Sequence, residues 1–121
     1  TEYNQKQTKK IISRQLKTAL LKSKDLFKSD QDKIIIAYEP VWAIGSGKTA
    51  SLDDIADVHA YIRNTLNKIL GTKKNTIKIL YGGSVSNLNA ASILKIPNVN
   101  GALVGGASLN SKKFIDICSS I

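Results

Sequence analysis

Glu39 closes a short apolar run, Lys33 to Glu39 (KIIIAYE), and is followed at once by a proline. A carboxylate at the C-terminal end of a buried strand, set among apolar neighbours, loses hydration in its charged form. That raises its pKa and suits it to abstract a proton. The next residues, Pro40 to Ala50, combine a stiff Pro40-Val41-Trp42 entry, a small Gly45-Ser46-Gly47 tip and a Lys48-Thr49-Ala50 exit. Rigid ends around a compact tip suit a loop that swings as a body over a site. Two more apolar runs end in glycine pairs, Tyr81-Gly82-Gly83 and Val104-Gly105-Gly106. Glycine lets the main chain come close enough to an anion for its N–H groups to bond it. Taken alone, each pair also reads as a tight turn, and Glu39 as an exposed acid at a strand end.

Three other features offer chemistry and are set aside. Gly45-Ser46-Gly47-Lys48-Thr49 looks like the end of a nucleotide-binding loop, but that motif needs a glycine where Trp42 stands. His59, the only histidine, lies beside Val58 in a helical pattern, far in sequence from any strand end, and reads as a helix-surface or packing residue. Cys118, the only cysteine, can form no internal disulfide; it falls in the apolar pattern of Phe114, Ile115 and Ile117 and reads as a small core residue.

The elements that must position these groups alternate. Thr8 to Lys28 reads as an amphipathic helix, with Ile12, Leu16, Ala19, Leu20 and Phe27 at helical spacing. After the polar break at residues 29–32, Lys33 to Glu39 lacks polar alternation, which predicts a strand buried on both faces. Ser51 starts a second helix, with Asp54 at capping-box spacing and Ile55, Val58, Ile62, Leu66 and Ile69 as its stripe; Gly71 is its stop. Thr76 to Tyr81 is a second strand, Leu88 to Leu94 a third helix, Val99 to Val104 a third strand, and Ser111 to Ser119 a last helix. A helix followed by strand–helix units argues for a parallel α/β sheet, with ligands at the C-terminal strand ends. Three such strands cannot close a barrel and would leave raw edges.

Composition limits the rest. The 121 residues fit one small domain, and 42% hydrophobic content supplies a core. No apolar run is long enough to cross a bilayer and the first residues carry no apolar leader, so the expected setting is cytoplasmic, with no membrane partner. The formal net charge of +9 would suit an anionic partner, yet the lysines are scattered and without interleaved aromatics, so a solvated face and no nucleic-acid partner are expected.

The stretch Ala37 to Ala50, AYEPVWAIGSGKTA, resembles the signature of the triosephosphate isomerase family almost residue for residue. Tyr81-Gly82-Gly83-Ser84-Val85 and Val104-Gly105-Gly106-Ala107-Ser108-Leu109 agree in order and spacing, so the resemblance covers essentially the whole chain. It implies a (β/α)8 barrel of which residues 1–121 are the C-terminal half: a helix, then about three strand–helix units, with the first half absent. It implies interconversion of dihydroxyacetone phosphate and glyceraldehyde 3-phosphate through an enediol(ate), in glycolysis and gluconeogenesis. The family is a familiar worked case of a glutamate base, a neutral histidine electrophile and a closing loop that excludes water. Carried over, Glu39 is the base. Gly45, Ser84, Gly105 and Gly106 hold the substrate phosphate. Pro40, Val41, Trp42, Lys48, Thr49 and Ala50 are the lid's hinges, and Tyr81, with Ser84, its latch. The resemblance implies no cofactor and no metal, a phosphorylated triose as substrate, and a homodimer in the intact family.

The family's catalytic Lys, His and Asn belong to strands that these residues do not include, and Lys48 matches a lid hinge rather than that Lys. The alternative reading is therefore an inactive phosphate-binding half-barrel that needs a complementary N-terminal half. A basic nucleic-acid binder and a decayed remnant are further alternatives, and exposed apolar edges predict self-association. Departures from the family pattern are small. Ser46 stands where Thr is common, Tyr3 and Lys6 replace an Arg and a Gly, and Asn100 replaces an Asp that pairs with an Arg. Arg63 is then expected to be left without its partner, loosening the local fold.

Overall fold

A computed structural model describes residues 5–21, 25, 29, 31–41, 50–71 and 76–120. Helix α1 is Gln5–Leu21, strand β1 Ile35–Tyr38, helix α2 Leu52–Leu70, strand β2 Lys78–Tyr81, helix α3 Ala90–Leu94 and helix α4 Ser111–Cys118. Short 3-10 turns at Gln31–Lys33 and Gly106–Leu109 precede β1 and α4. Phe27, Trp42, Gly45, Ser46, Gly47, Lys48, Thr49 and Tyr3 lie outside the described residues, as does the side chain of Lys6.

Helix α2 follows directly from its sequence. Ser51, extended at φ −65° and ψ 156°, accepts a bond from the Asp54 N–H at 3.1 Å, satisfying an N–H that the first turn leaves open. Its hydroxyl donates in turn to the Asp54 carboxylate at 2.7 Å. Asp53 and Asp54 in the first turn and Lys68 in the last suit the helix dipole. Gly71 ends the helix in the left-handed region at φ 69°, its N–H bonding the Asn67 carbonyl. The predicted stripe Ile55, Val58, Ile62, Leu66 and Ile69 is buried throughout. Each such side chain contributes about 1.5–3 kcal/mol of burial.

Because α2 carries the chain from the end of β1 back to the start of β2, the two strands pair in parallel. Ile35 faces Lys78, and the register ends at Tyr38 opposite Tyr81. Ile79 and Tyr81, with Tyr38, are buried in the helix-side core, where Ile36 packs against them. Helix α1 adds Ile12, Leu16 and Leu20 to that core as it packs on α2, whereas its Ala19 is exposed. Lys9 on α1 meets Asp57 on α2 at 2.7 Å and sits 5.7 Å from the Tyr61 ring centroid.

Four expectations are corrected. Strand β1 is not buried on both faces: Ile35 is 60% exposed and Ala37 is exposed, since residues of this parity face away from the helices and nothing among the described residues covers them. The segment Val99–Val104 is not a full strand. It lies along β2 through Asn100 N–H to Ile79 O (2.8 Å), Tyr81 N–H to Gly101 O (3.0 Å) and Leu103 N–H to Tyr81 O (2.8 Å), but forms only the single bridge Tyr81–Ala102. The ladder stops there because the Ile79 N–H is taken by the Asn100 side-chain oxygen at 3.0 Å in place of a main-chain carbonyl. Arg63 is not left alone by Asn100, for its Nη2 donates to that same oxygen at 3.2 Å. Finally, Cys118 is exposed rather than core. Of the α4 apolar residues only Ile117 is buried, while Phe114 and Ile115 stay exposed, because α4 packs chiefly on the short 106–109 turn.

Candidate functional site

The C-terminal ends of β1 and β2 and the segment after Val99 converge on a cleft of ≈ 490 Å³. Its walls are Glu39, Gly82, Gly83, Ser84, Val85, Leu103, Val104, Gly105 and Gly106. Glu39 follows the last residue of β1 and keeps the parity of Ile35 and Ala37, which turns its carboxylate away from the helices. The Gly82 N–H donates to the Tyr38 carbonyl at 2.8 Å and binds the two strand ends together. Gly82 also makes room for the Glu39 side chain: a β-carbon there would sit 2.8 Å from Glu39 Cγ. At Gly83 a β-carbon would run into the ring and hydroxyl of Tyr81.

Ser84 begins a loop that Asn89 holds in shape. Asn89 Nδ2 donates to the Ser84 carbonyl at 3.0 Å, and its Oδ1 accepts the Ser86 N–H at 2.8 Å. Ser84 itself is exposed to the cleft. On the opposite wall the Gly105 carbonyl takes both the N–H (2.9 Å) and the hydroxyl (2.7 Å) of Ser108, which winds the 106–109 turn back from the cleft. The first N–H groups of such a turn have no partner within it and are natural anion donors. A carboxylate and a set of anion donors thus share one cleft.

The sequence-derived site residues are distributed as follows. Glu39, Ser84, Gly105 and Gly106 come together on the cleft. Glu39 is exposed, so the burial expected around it is not met: the sheet face it shares has no cover among the described residues. Pro40 is buried, Val41 exposed and Ala50 buried, while Trp42, Gly45, Lys48 and Thr49 lie outside the described residues. The Tyr81 ring is wholly buried, and its hydroxyl has no hydrogen-bond partner among the described residues. Burial pushes that phenol upward.

His59 is a packing residue, as its sequence context predicts. It is 0% exposed and lies between Tyr38 and Tyr81. Burial holds its pKa below the ordinary histidine value and the Arg63 charge adds to that, while its bond to the Asn98 carbonyl works the other way. Sequence reasoning missed the work of Asn98 and Asn100 beneath the cleft; no local signal marks a residue whose partners are 21 to 39 positions away. It also missed an apolar groove of ≈ 430 Å³ between α1 and β1, lined among others by Ile12, Leu16 and Ile36, with Glu39 on its wall.

Comparison with known proteins agrees with this geometry. The family model described as triosephosphate isomerase matches residues 1–121. The chain is 49% identical over 107 residues to the triosephosphate isomerase of Lawsonia intracellularis, covering 88% of this chain and 41% of that protein. It is 48% identical over 110 residues to that of Granulibacter bethesdensis, covering 91% and 43%. A crystal structure of triosephosphate isomerase from Bartonella henselae matches with a TM-score of 0.65 at 44% identity, over 74% of this chain and 35% of that one. The chain therefore spans about two fifths of the length of these curated relatives, and its strand–helix order is that of part of a (β/α)8 barrel. By the match of the whole sequence and by the fold, the chain belongs to the triosephosphate isomerase family.

Proposed function

We propose that residues 1–121 are the C-terminal part of a triosephosphate isomerase and carry its base, its lid and most of its phosphate site. The observation that carries this reading is the shared cleft of Glu39, Ser84, Gly105 and Gly106. The Glu39 carboxylate takes a proton from the carbon next to the dihydroxyacetone phosphate carbonyl, and electrons move to the carbonyl oxygen to form the enediolate. The hydroxyl proton of that carbon passes to the oxygen of the former carbonyl, and return of the first proton from Glu39 to the neighbouring carbon then gives glyceraldehyde 3-phosphate. Ser84 and the N–H groups at Gly105 and Gly106 hold the phosphate, joined by the Gly45 N–H when the lid from Pro40 to Ala50 closes. Trp42, Lys48 and Thr49 belong to that lid. The buried Tyr81 hydroxyl, without a hydrogen-bond partner among the described residues, supports its role as a latch, being a donor in want of an acceptor.

The groups that polarise the substrate carbonyl come from strand–helix units beyond these 121 residues, on this polypeptide or another. The bare face of β1 supports that requirement, because a closed barrel fills it with side chains from other strands. The intact enzyme is a cytoplasmic homodimer acting in glycolysis and gluconeogenesis. An assay with glyceraldehyde 3-phosphate tests this, comparing the chain alone with the chain mixed with a separately made N-terminal part. Turnover only in the mixture is expected. Phosphate binding without turnover in either would favour the inactive half-barrel, and turnover by the chain alone would show that the missing polarising groups are not needed.

A further inference from the structure

His59 is polar, wholly buried and in the middle of α2. A buried polar ring costs stability unless it is bonded, and an apolar side chain of similar size would pack there without that cost. What an apolar residue would not supply is the bond from His59 Nδ1 to the Asn98 carbonyl, 3.0 Å long. A carbonyl only accepts, so Nδ1 carries the proton, and the neutral ring leaves Nε2 bare.

Asn98 is the only described non-glycine residue with a positive φ, 67°. A side-chain-bearing residue in the left-handed region persists only where its surroundings hold it. Two residues one turn apart on α2 do so: His59 bonds its carbonyl, and Arg63 Nε donates to its side-chain oxygen at 3.4 Å. The turn at Asn98 sends the chain along β2 and on to Gly105. The two faces of the same pocket are aromatic. The Tyr38 ring meets the imidazole edge-on at 6.0 Å and the Tyr81 ring lies tilted at 6.2 Å. Tyr38 immediately precedes Glu39, and Tyr81 immediately precedes Gly82. One imidazole therefore touches all three chain segments that enter the cleft.

We propose that His59, through its bond to Asn98 and its seat between Tyr38 and Tyr81, is a positioning residue that holds the strand ends bearing Glu39, Ser84 and Gly105 in register. The inference rests on the reading of the cleft as a phosphate-binding isomerase site, and its test separates the two. His59→Leu keeps apolar packing and removes the donor. His59→Asn restores an amide donor near the Nδ1 position. In each variant of the full chain, amide hydrogen exchange is followed at Asn100 and Leu103, with Leu66 in the α2 core as internal reference, and inorganic phosphate is titrated against the amides of Ser84, Gly105 and Gly106.

For His59→Leu the expected result is exchange at Asn100 and Leu103 faster by about tenfold relative to Leu66, the scale of one lost buried hydrogen bond. Phosphate affinity should fall alongside it, and His59→Asn should recover both. Unchanged relative exchange in the Leu variant, unchanged phosphate affinity despite faster exchange, or no recovery in the Asn variant would each overturn the proposal. Should His59→Leu fail to fold, His59→Gln, whose longer amide misses the Nδ1 position, replaces it with the same expected result. If the parent chain binds no phosphate, the cleft reading fails, and the exchange pattern still decides whether His59 holds the strand ends.

Discussion

The two faces of the β1–β2 sheet meet opposite conditions. Toward the helices, Tyr38, Ile79 and Tyr81 are enclosed by the stripes of α1 and α2. Away from them, Ile35, Ala37 and Lys78 are exposed, and Glu39 continues that row. The same four-residue strands thus have one face settled by their own crossover helix and another that waits for side chains from elsewhere. The carboxylate of the candidate site lies on the second face, and the packed core on the first.

Substitutions can break this comparison. Leu66→Ala, at a site 0% exposed, should cost about 2–5 kcal/mol in chemical denaturation, whereas Ile35→Ala should stay within about 0.5 kcal/mol. Similar costs for the two would mean that the sheet is covered on both sides in solution, for instance by self-association.

Acidification should act next, on the helix side. His59 has a folded pKa below its reference value of 6.5, so the unfolded chain binds more protons between the two values. Its contribution to stability is complete above pH 6.5 and is lost as pH falls through the folded value. Among the described residues the titratable and charged groups facing it are the Tyr38 and Tyr81 phenols and Arg63, residue types that ordinarily titrate well above that window. Thermal midpoints measured across this range should fall for the parent, and the fall should shrink in His59→Asn.

Smaller effects sharpen the picture at the helix ends and surface. Ser51→Ala removes the α2 cap and should cost about 1 kcal/mol, read from denaturant midpoints. Lys9→Ala breaks the partly exposed pair with Asp57 and should cost less than about 1 kcal/mol, a difference that added salt narrows further.

Helix α2 was legible almost residue by residue, because its cap at Ser51, its stop at Gly71 and its stripe are local signals. The cleft was legible through short motifs at strand ends, where Glu39, Ser84, Gly105 and Gly106 are close to their turns in sequence. What failed was whatever depended on distant partners. The apolar run at β1 predicts burial on both faces, yet periodicity says nothing about whether a second layer is supplied. The ladder ahead of Tyr81 is shortened at Ile79 by one amide oxygen, that of Asn100, reaching back 21 positions, and no propensity registers that. Cys118 falls in an apolar pattern of which only Ile117 is buried, because α4 packs chiefly on the short 106–109 turn.

Two glycines of this chain are constrained for unrelated reasons, and their tolerance to change should differ in kind. At Gly71 nothing lies within 4 Å of a prospective β-carbon, and only the backbone rotation of φ 69° resists a side chain. At Gly82 a single methyl group would press on the Glu39 side chain itself. Alanine at position 71 would be felt in folding, whereas alanine at position 82 would be felt in where the carboxylate points. In a population of variants, the first site would be filtered by abundance of the protein and the second by the geometry of the cleft.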